Sequence, residues 1–384
     1  MEPGGEYRIL TDNLSAESEL NSSVNRSTSG FYEEELTYYE FVLYSMVVPV
    51  LFGLTTLIGV IGNTLVIYVI LSKQKMRTVT NLLLLNLAIA DLSFVTICPP
   101  FTAYQFATYQ WPFGNVACKL MHYLLNVTAY VTVYTLVLIS VIRYMTIVHN
   151  TRTIRFRTRT NIVLMIIAIW ACMCAVNIPI LMSYGVQLLN PDDPSKGIIC
   201  ENWGIEVGQR LYATFFCFAY ILPLAMVAKF SIFILRHIKK QRSVMLNKRT
   251  RGQDKKRQAS RLIILVVVIF ALFWLPVHIH LLVAYFGNIP TNPVYNTISV
   301  FWNVLAYFNS CVNPIIYNYA SRDFRNGFRD AVCCIRYRRL GRGGEDRNGM
   351  TAVTTVNVSS KNGKSRKLLV DDNDEQQEEQ ADDV

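Results

Sequence analysis

The sequence predicts an all-α membrane protein, a bundle of seven transmembrane helices followed by a short amphipathic eighth. Three observations carry that expectation. The 384 residues are 52% hydrophobic and only 17% charged, with a mean hydropathy of +0.27, whereas a soluble domain of this size would carry more charge. Seven apolar runs are each long enough to cross a hydrocarbon core, which takes about 20 residues. The basic residues gather in alternate connections between those runs.

Residues 1–40 come first, a polar tail with nine acids against Arg8 and Arg26. No basic segment leads into an apolar stretch, so the first span is expected to act as the insertion signal. Asn13, Asn21 and Asn25 each open a glycosylation triplet. Asn126-Val-Thr and Asn357-Val-Ser, inside a span and in the C-terminal tail, are expected to stay unmodified. The spans are 42–71, 79–107, 118–148, 160–183, 210–235, 259–286 and 295–319.

Connection 72–78 carries Lys73, Lys75 and Arg77, connection 149–160 carries four arginines, and 236–261 carries eleven Lys or Arg. The opposite connections, 101–117, 184–208 and 286–294, hold only Lys196. This bias places the N-terminus outside and the C-terminus in the cytosol, as expected of a multi-pass plasma-membrane protein. The net charge of +10 then reflects that bias and attraction to anionic membrane lipid, not nucleic acid.

Cys118 and Cys200 both face the oxidising side and can staple the second outer connection to the bundle. Cys98, Cys172, Cys174, Cys217 and Cys311 fall within apolar runs and read as small packing residues. Residues 321–334 form an amphipathic stretch around Phe324 and Phe328, and Cys333-Cys334 at its end is a candidate palmitoylation site. Residues 335–384 are expected to be disordered: from about Gly341 the chain is rich in Gly, Ser, Thr and charge. Thr351, Thr354, Thr355, Ser359, Ser360 and Ser365 are candidate kinase targets. The organisation is therefore an external tail 1–40, a membrane domain 41–320, an amphipathic helix 321–334 and a cytosolic tail 335–384.

Polar groups inside spans are functional candidates by default, because hydrocarbon penalises them. Asp91 sits midway along span 2. Thr132, Asn309, Ser310 and Asn313 are oxygen-bearing candidate neighbours, and together they suit a sodium ion; the alternative is a protonated Asp91 satisfied by the amides. Arg143-Tyr144 ends span 3 among apolar neighbours, placed to meet a partner entering between helices. Pro223, Pro276 and Pro314 each weaken a helix, beside Phe270 and Trp274 in span 6 and Asn313 and Tyr317 in span 7. Static anchors do not need such joints.

Over about residues 42–334 the sequence resembles the rhodopsin-like (class A) G protein-coupled receptors. Gly62-Asn63, Leu87-Ala-Ile-Ala-Asp91, Cys118, Arg143-Tyr144, Trp170, Pro223, Trp274-Leu-Pro276, Asn313-Pro-Ile-Ile-Tyr317 and Phe324 follow in the family's order. The resemblance implies no catalytic function. It implies that ligand repacks Trp274 and Phe270 against Val133 and Pro223, helix 6 swings, and a G protein enters beside Arg143 and Tyr317, with receptor kinases and arrestin as later partners. Three departures stand out. Ile142 replaces the usual acid before the arginine, Lys256 the acid at the base of helix 6, and Ser231 a common tyrosine. The first two imply an inactive state held less firmly by charge.

Leu125 stands where amine receptors carry an aspartate, and Tyr307 where opsins carry the retinal lysine, so amine and retinal ligands are not expected. Asp192, Asp193, Glu201 and Glu206 make the outer surface acidic. Beneath lie His122, Asn126, Trp203, His278, His280, Tyr285 and Asn303. This composition suits a peptide with a basic part and an aromatic or amidated end. Trp111-Pro-Phe-Gly-Asn-Val-Ala-Cys118 and Asn126-Val-Thr-Ala-Tyr-Val-Thr-Val-Tyr134 are similar to the galanin receptor branch, and within it to insect allatostatin-A receptors. That likeness implies an amidated Phe-Gly-Leu-type neuropeptide and a Gi/o protein. Receptors for galanin, kisspeptin, somatostatin or opioid-like peptides are the rivals inside the family. A channel or transporter is the rival outside it, but Asp91 is the only acid deep in a span and no internal repeat is visible.

Overall fold

A computed structural model describes residues 41–108, 110–244, 251–287 and 293–341. The glycosylation triplets and the tail hydroxyls lie outside them. The chain divides into two compact units, Met1–Ile335 and Arg336–Val384, and the bundle belongs to the first.

Helix α1 (Val48–Ser72) is entered through a π-helical turn, Leu43–Val47. Helices α2 (Val79–Thr108), α3 (Gly114–Val148) and α4 (Arg159–Val176) follow. Thr158 caps α4 by accepting from the Asn161 amide, which satisfies one of the free donors of the first turn. Helix α5 runs through Ile205–Phe215, a π-helical turn Phe216–Ile221, and Leu222–Val244. Helices α6 (Arg251–Phe286), α7 (Pro293–Ala320) and α8 (Arg322–Gly341) complete the bundle.

Several ends differ from the sequence reading. Helix α3 begins at Gly114, before residue 118. Helix α4 stops at Val176 instead of 183, because Pro179 cannot continue the hydrogen-bond ladder and only a single helical turn, Ile180–Ser183, follows. Helix α5 starts at Ile205, where Gly204 with φ 94° ends the preceding extended segment. Helix α6 begins at Arg251 and α8 reaches Gly341, both longer than the apolar pattern.

Six of the described helices are long and apolar enough to cross a membrane. Helix α7 is not among them, being interrupted by Asn303, Asn309, Ser310 and Asn313. It joins the bundle by packing against α1, α2 and α6. Large apolar side chains on the rim, among them Leu54 and Leu57 on α1 and Leu164 and Ile167 on α4, are exposed. In water this would be an aggregating surface; in lipid it is a solvated one.

One feature of the second connection escaped the all-helical reading. Strands β1 (Tyr184–Leu188) and β2 (Ile198–Asn202) form an antiparallel hairpin with Val186 opposite Cys200. The Cys118–Cys200 disulfide fixes β2 to the start of α3, with Cα atoms 5.6 Å apart. Asn115 Oδ1 accepts from the Val186 amide and the Ile198 carbonyl from the Trp111 amide. At the hairpin tip Ser195 donates its amide and hydroxyl to Asp193, holding that carboxyl below its usual range.

The main core lies toward the α8 end and draws Val66, Leu83, Leu87, Val133, Leu136, Phe270, Ile316 and Tyr317 together. Helices α1 and α7 touch closely at Gly62, where a Cβ would sit 3.0 Å from the Pro314 ring. Asn86 ties three helices, donating to Thr135 Oγ1 and accepting from the Trp170 indole, each at 2.8 Å. Outside the span region, Lys73 pairs with Asp330 of α8 at 2.7 Å, and this partner holds the Asp330 carboxyl low. Both side chains are partly solvated, so the pair orients α8 more than it stabilises the fold.

Candidate functional site

The bundle carries polar and aromatic groups in three tiers. At the hairpin end, the His122 ring stacks on Tyr184 of β1 with centroids 3.8 Å apart. His122 Nε2 is buried there and has no hydrogen-bond partner among the described residues. Leu125 packs both under the hairpin and against Phe94, Val95 and Cys98 on α2, where Tyr307 also packs. The Tyr307 hydroxyl meets Thr102 at 3.2 Å. Across α5 and α6, His278 is 1% exposed and lies among Tyr212, Phe215, Phe216, Tyr220 and Trp274, with ring centroids 4.3–6.0 Å away.

The other proposed ligand contacts are distributed differently. His280, two residues along α6, faces α7 instead: its Nδ1 meets the Tyr295 hydroxyl at 2.9 Å, beside Trp302. A helix turns 100° per residue, so residues two apart point to opposite sides, and the two histidines do not share one wall. Asn126 and Asn303 donate to their own helices, at His122 and Ser299. Tyr285 accepts from Asn202 Nδ2 at 3.1 Å, joining α6 to the hairpin. Glu201 lies on β2 opposite Gly185. Trp203 is 51% exposed and covers Gly185, where any Cβ would collide with the indole.

Halfway down, Asn313 Nδ2 donates to Asp91 Oδ2 at 2.7 Å, and Ser310 also approaches this buried carboxylate. Thr132 and Asn309 are buried. Asn63 reaches the Ser310 carbonyl at 3.0 Å, and its own Oδ1 is buried without a partner among the described residues. The tier is a set of hard oxygen donors. Among the described residues no three His, Cys, Asp or Glu side chains converge; the oxygens of Asp91, Ser310 and Asn313 are hard donors, the kind that suits a hard cation.

Trp274 and Phe270, 5.9 Å apart, lead from His278 toward the α8 end. Val133 shares the Phe270 cluster, and Pro223 follows the π-helical turn of α5. At that end Ile142 is buried, and the Nε of Arg143 is buried without a partner among the described residues. Tyr144 instead meets His149 Nε2 at 3.2 Å and packs beside Phe230 and Phe233. Tyr317 is 0% exposed, has no hydrogen-bond partner for its hydroxyl among the described residues, and lies 5.5 Å from Phe324. The side chains of Lys256, Cys333 and Cys334 lie outside the described residues.

Sequence reasoning missed Tyr184, Tyr212 and Tyr220. A signal existed for two of them: Tyr212, Phe216 and Tyr220 recur every four residues, and their rings stack at 6.0 Å steps. Tyr184 had none, since its position depends on the unpredicted hairpin.

Residues 62–317 match the family described as 7 transmembrane receptor (rhodopsin family). The chain is 36% identical to an allatostatin-A receptor of Bombyx mori, over 86% of this chain and 90% of that receptor. It is 35% identical to the human galanin receptor type 1, over 76% and 82% of the two chains. Against the pig somatostatin receptor type 2 the identity is 31%, over 86% and 89%.

Proposed function

Since this chain belongs to the rhodopsin family of seven-transmembrane receptors, we propose that it binds an allatostatin-A-like amidated neuropeptide and activates a heterotrimeric G protein of the Gi/o class. In this reading the hairpin faces outside, where a disulfide persists, and the basic connections and α8 face the cytosol. The observation that carries the reading is the unbroken aromatic path His278–Trp274–Phe270, which joins the hairpin-end groups to the core around Tyr317. Relatives named for allatostatin-A, galanin and somatostatin support a peptide as the ligand.

His122, Tyr307 and His278 offer rings and hydrogen-bonding groups, and Leu125 an apolar contact, to an aromatic, amidated end. Asp192, Asp193, Glu201 and Glu206 draw a basic peptide toward the mouth and raise its association rate. Peptide and G protein each bind one arrangement of α6 better, so each strengthens the other's binding. Asp91, Thr132, Asn309, Ser310 and Asn313 would hold a sodium ion, which would supply the charge that balances the buried carboxylate. Palmitoylation at Cys333 and Cys334, and phosphorylation of the tail followed by arrestin binding, belong to the same proposal.

Cells expressing the chain, exposed to Phe-Gly-Leu-amide, galanin, kisspeptin, somatostatin and opioid peptides, should lower cAMP at the smallest dose of the first. A stronger response to another peptide would replace the ligand, and ligand-independent currents in oocytes would replace the class. The missing acid at Ile142 gives a separate expectation. Ile142→Asp places a carboxylate next to Arg143 and should lower ligand-free nucleotide exchange about tenfold or more, the scale of a charge-assisted bond. Ile142→Asn, which changes the packing without the charge, should not. Equal basal exchange in wild type and Ile142→Asp would count against the weak-restraint reading.

A further inference from the structure

Two tyrosine hydroxyls of α5 are bonded to the backbone of α6 on opposite sides of Pro276. Tyr212 donates to the His278 carbonyl at 2.6 Å, and Tyr220 donates to the Ala271 carbonyl at 2.9 Å. Pro276 has no N–H to offer the Leu272 carbonyl one turn earlier, so the helix is weakest between these two attachments. Tyr220 itself projects from the π-helical turn Phe216–Ile221, a distortion that re-aims side chains and recurs at functional sites.

The conformation described is one with the α8 end shut. Tyr317 is 0% exposed, Val266 and Val267 are buried in the core, and Arg143 Nε is shielded. In that state both tyrosine bonds are made. Their fates differ if the two halves of α6 tilt about Pro276. Ala271 lies five residues below the joint, about 7.5 Å along the axis, so a tilt of about 15° would carry its carbonyl about 2 Å. An O–H···O bond does not survive that displacement. His278 lies on the other half and keeps its partner.

We propose that the Tyr220 hydroxyl is a latch that holds the α8-end half of α6 shut, while Tyr212 pins the hairpin-end half as the fixed side of the joint. Tyr220 is a positioning residue: it acts through α6 and touches neither peptide nor G protein. Its consequence for signalling rests on the receptor reading above, but the latch itself does not. The competing account is that Tyr220 merely satisfies its hydroxyl in a crowded core.

The test compares Tyr220→Phe with Tyr123→Phe in the full chain in nanodiscs. Both lose only a hydroxyl, and Tyr123 makes the same kind of bond elsewhere, from α3 to the Cys174 carbonyl on α4 at 2.8 Å. Ligand-free nucleotide exchange on an added heterotrimer and deuterium uptake along α6 are measured for each. Tyr220→Phe should raise basal exchange about three- to tenfold, the weight of one net hydrogen bond in an equilibrium constant. Its deuterium uptake should rise over 264–275 and not over 277–286. Tyr123→Phe should lose comparable thermal stability and leave both readouts unchanged. Equal basal exchange in the two variants, or uptake rising alike on both sides of Pro276, overturns the latch. If no heterotrimer responds to any variant, the receptor reading fails, and deuterium uptake alone decides the latch by the same criterion.

Discussion

Cys118→Ser and Cys200→Ser are each expected to abolish the peptide response at any practical dose. The bond joins positions 82 residues apart, and removing a cross-link over a loop of that size costs about 2–5 kcal/mol. Most of that loss should fall on the hairpin, since α3 also packs against α2 and α5. Tyr184, which covers His122, and Glu201 and Asn202, which face Gln187 and Tyr285, would lose their fixed positions. Surface expression and radioligand binding of the amidated peptide check this directly. The double variant Cys118→Ser with Cys200→Ser should be no worse than either single one, because each already breaks the same bond. An additive loss would mean that the thiols act separately.

His278→Ala should lower peptide potency about 100-fold. Removing a large, fully buried ring costs about 3–5 kcal/mol in lost contacts and cavity, and each 1.4 kcal/mol is tenfold in affinity. Only part of that falls on binding, because the cavity also lies between Tyr220 and Trp274 and slackens the path to the α8 end. His278→Phe separates the contributions by keeping the ring volume while losing the Nδ1 that meets the Tyr212 hydroxyl at 3.3 Å. It should recover most of the potency if packing dominates. His280→Ala should matter less, since that ring is occupied with Tyr295 and Trp302 between α6 and α7. Dose–response curves for the three variants, normalised to surface level, decide the order. A wild-type curve for His278→Ala would remove α6 from the binding site.

The bundle was legible because hydrocarbon enforces long apolar helices and punishes everything else. The same rule exposed Asp91 and Asn313, and the structure brings that pair into contact. It could not see the hairpin, whose short strands are set by a disulfide and by capping contacts from Asn115 and Trp111. Nor could it separate His278 from His280, because composition places both at the pocket while helix phase sends them to different neighbours. The π-helical turn in α5 was also hidden: Pro223 marked a distortion there, but not that Tyr220 would be aimed at the backbone of α6. Local propensity fixes where helices run, and the turn of each helix fixes what its side chains meet.

The most direct measurement is GDP release from a purified heterotrimer mixed with the full chain in nanodiscs, with and without Phe-Gly-Leu-amide. The account predicts that the chain speeds release by itself and that the peptide speeds it severalfold more. It also predicts that His278→Ala needs a much higher peptide concentration to reach the same rate. Release that stays at the rate of the heterotrimer alone, for every G protein class and every amidated peptide supplied, would contradict it.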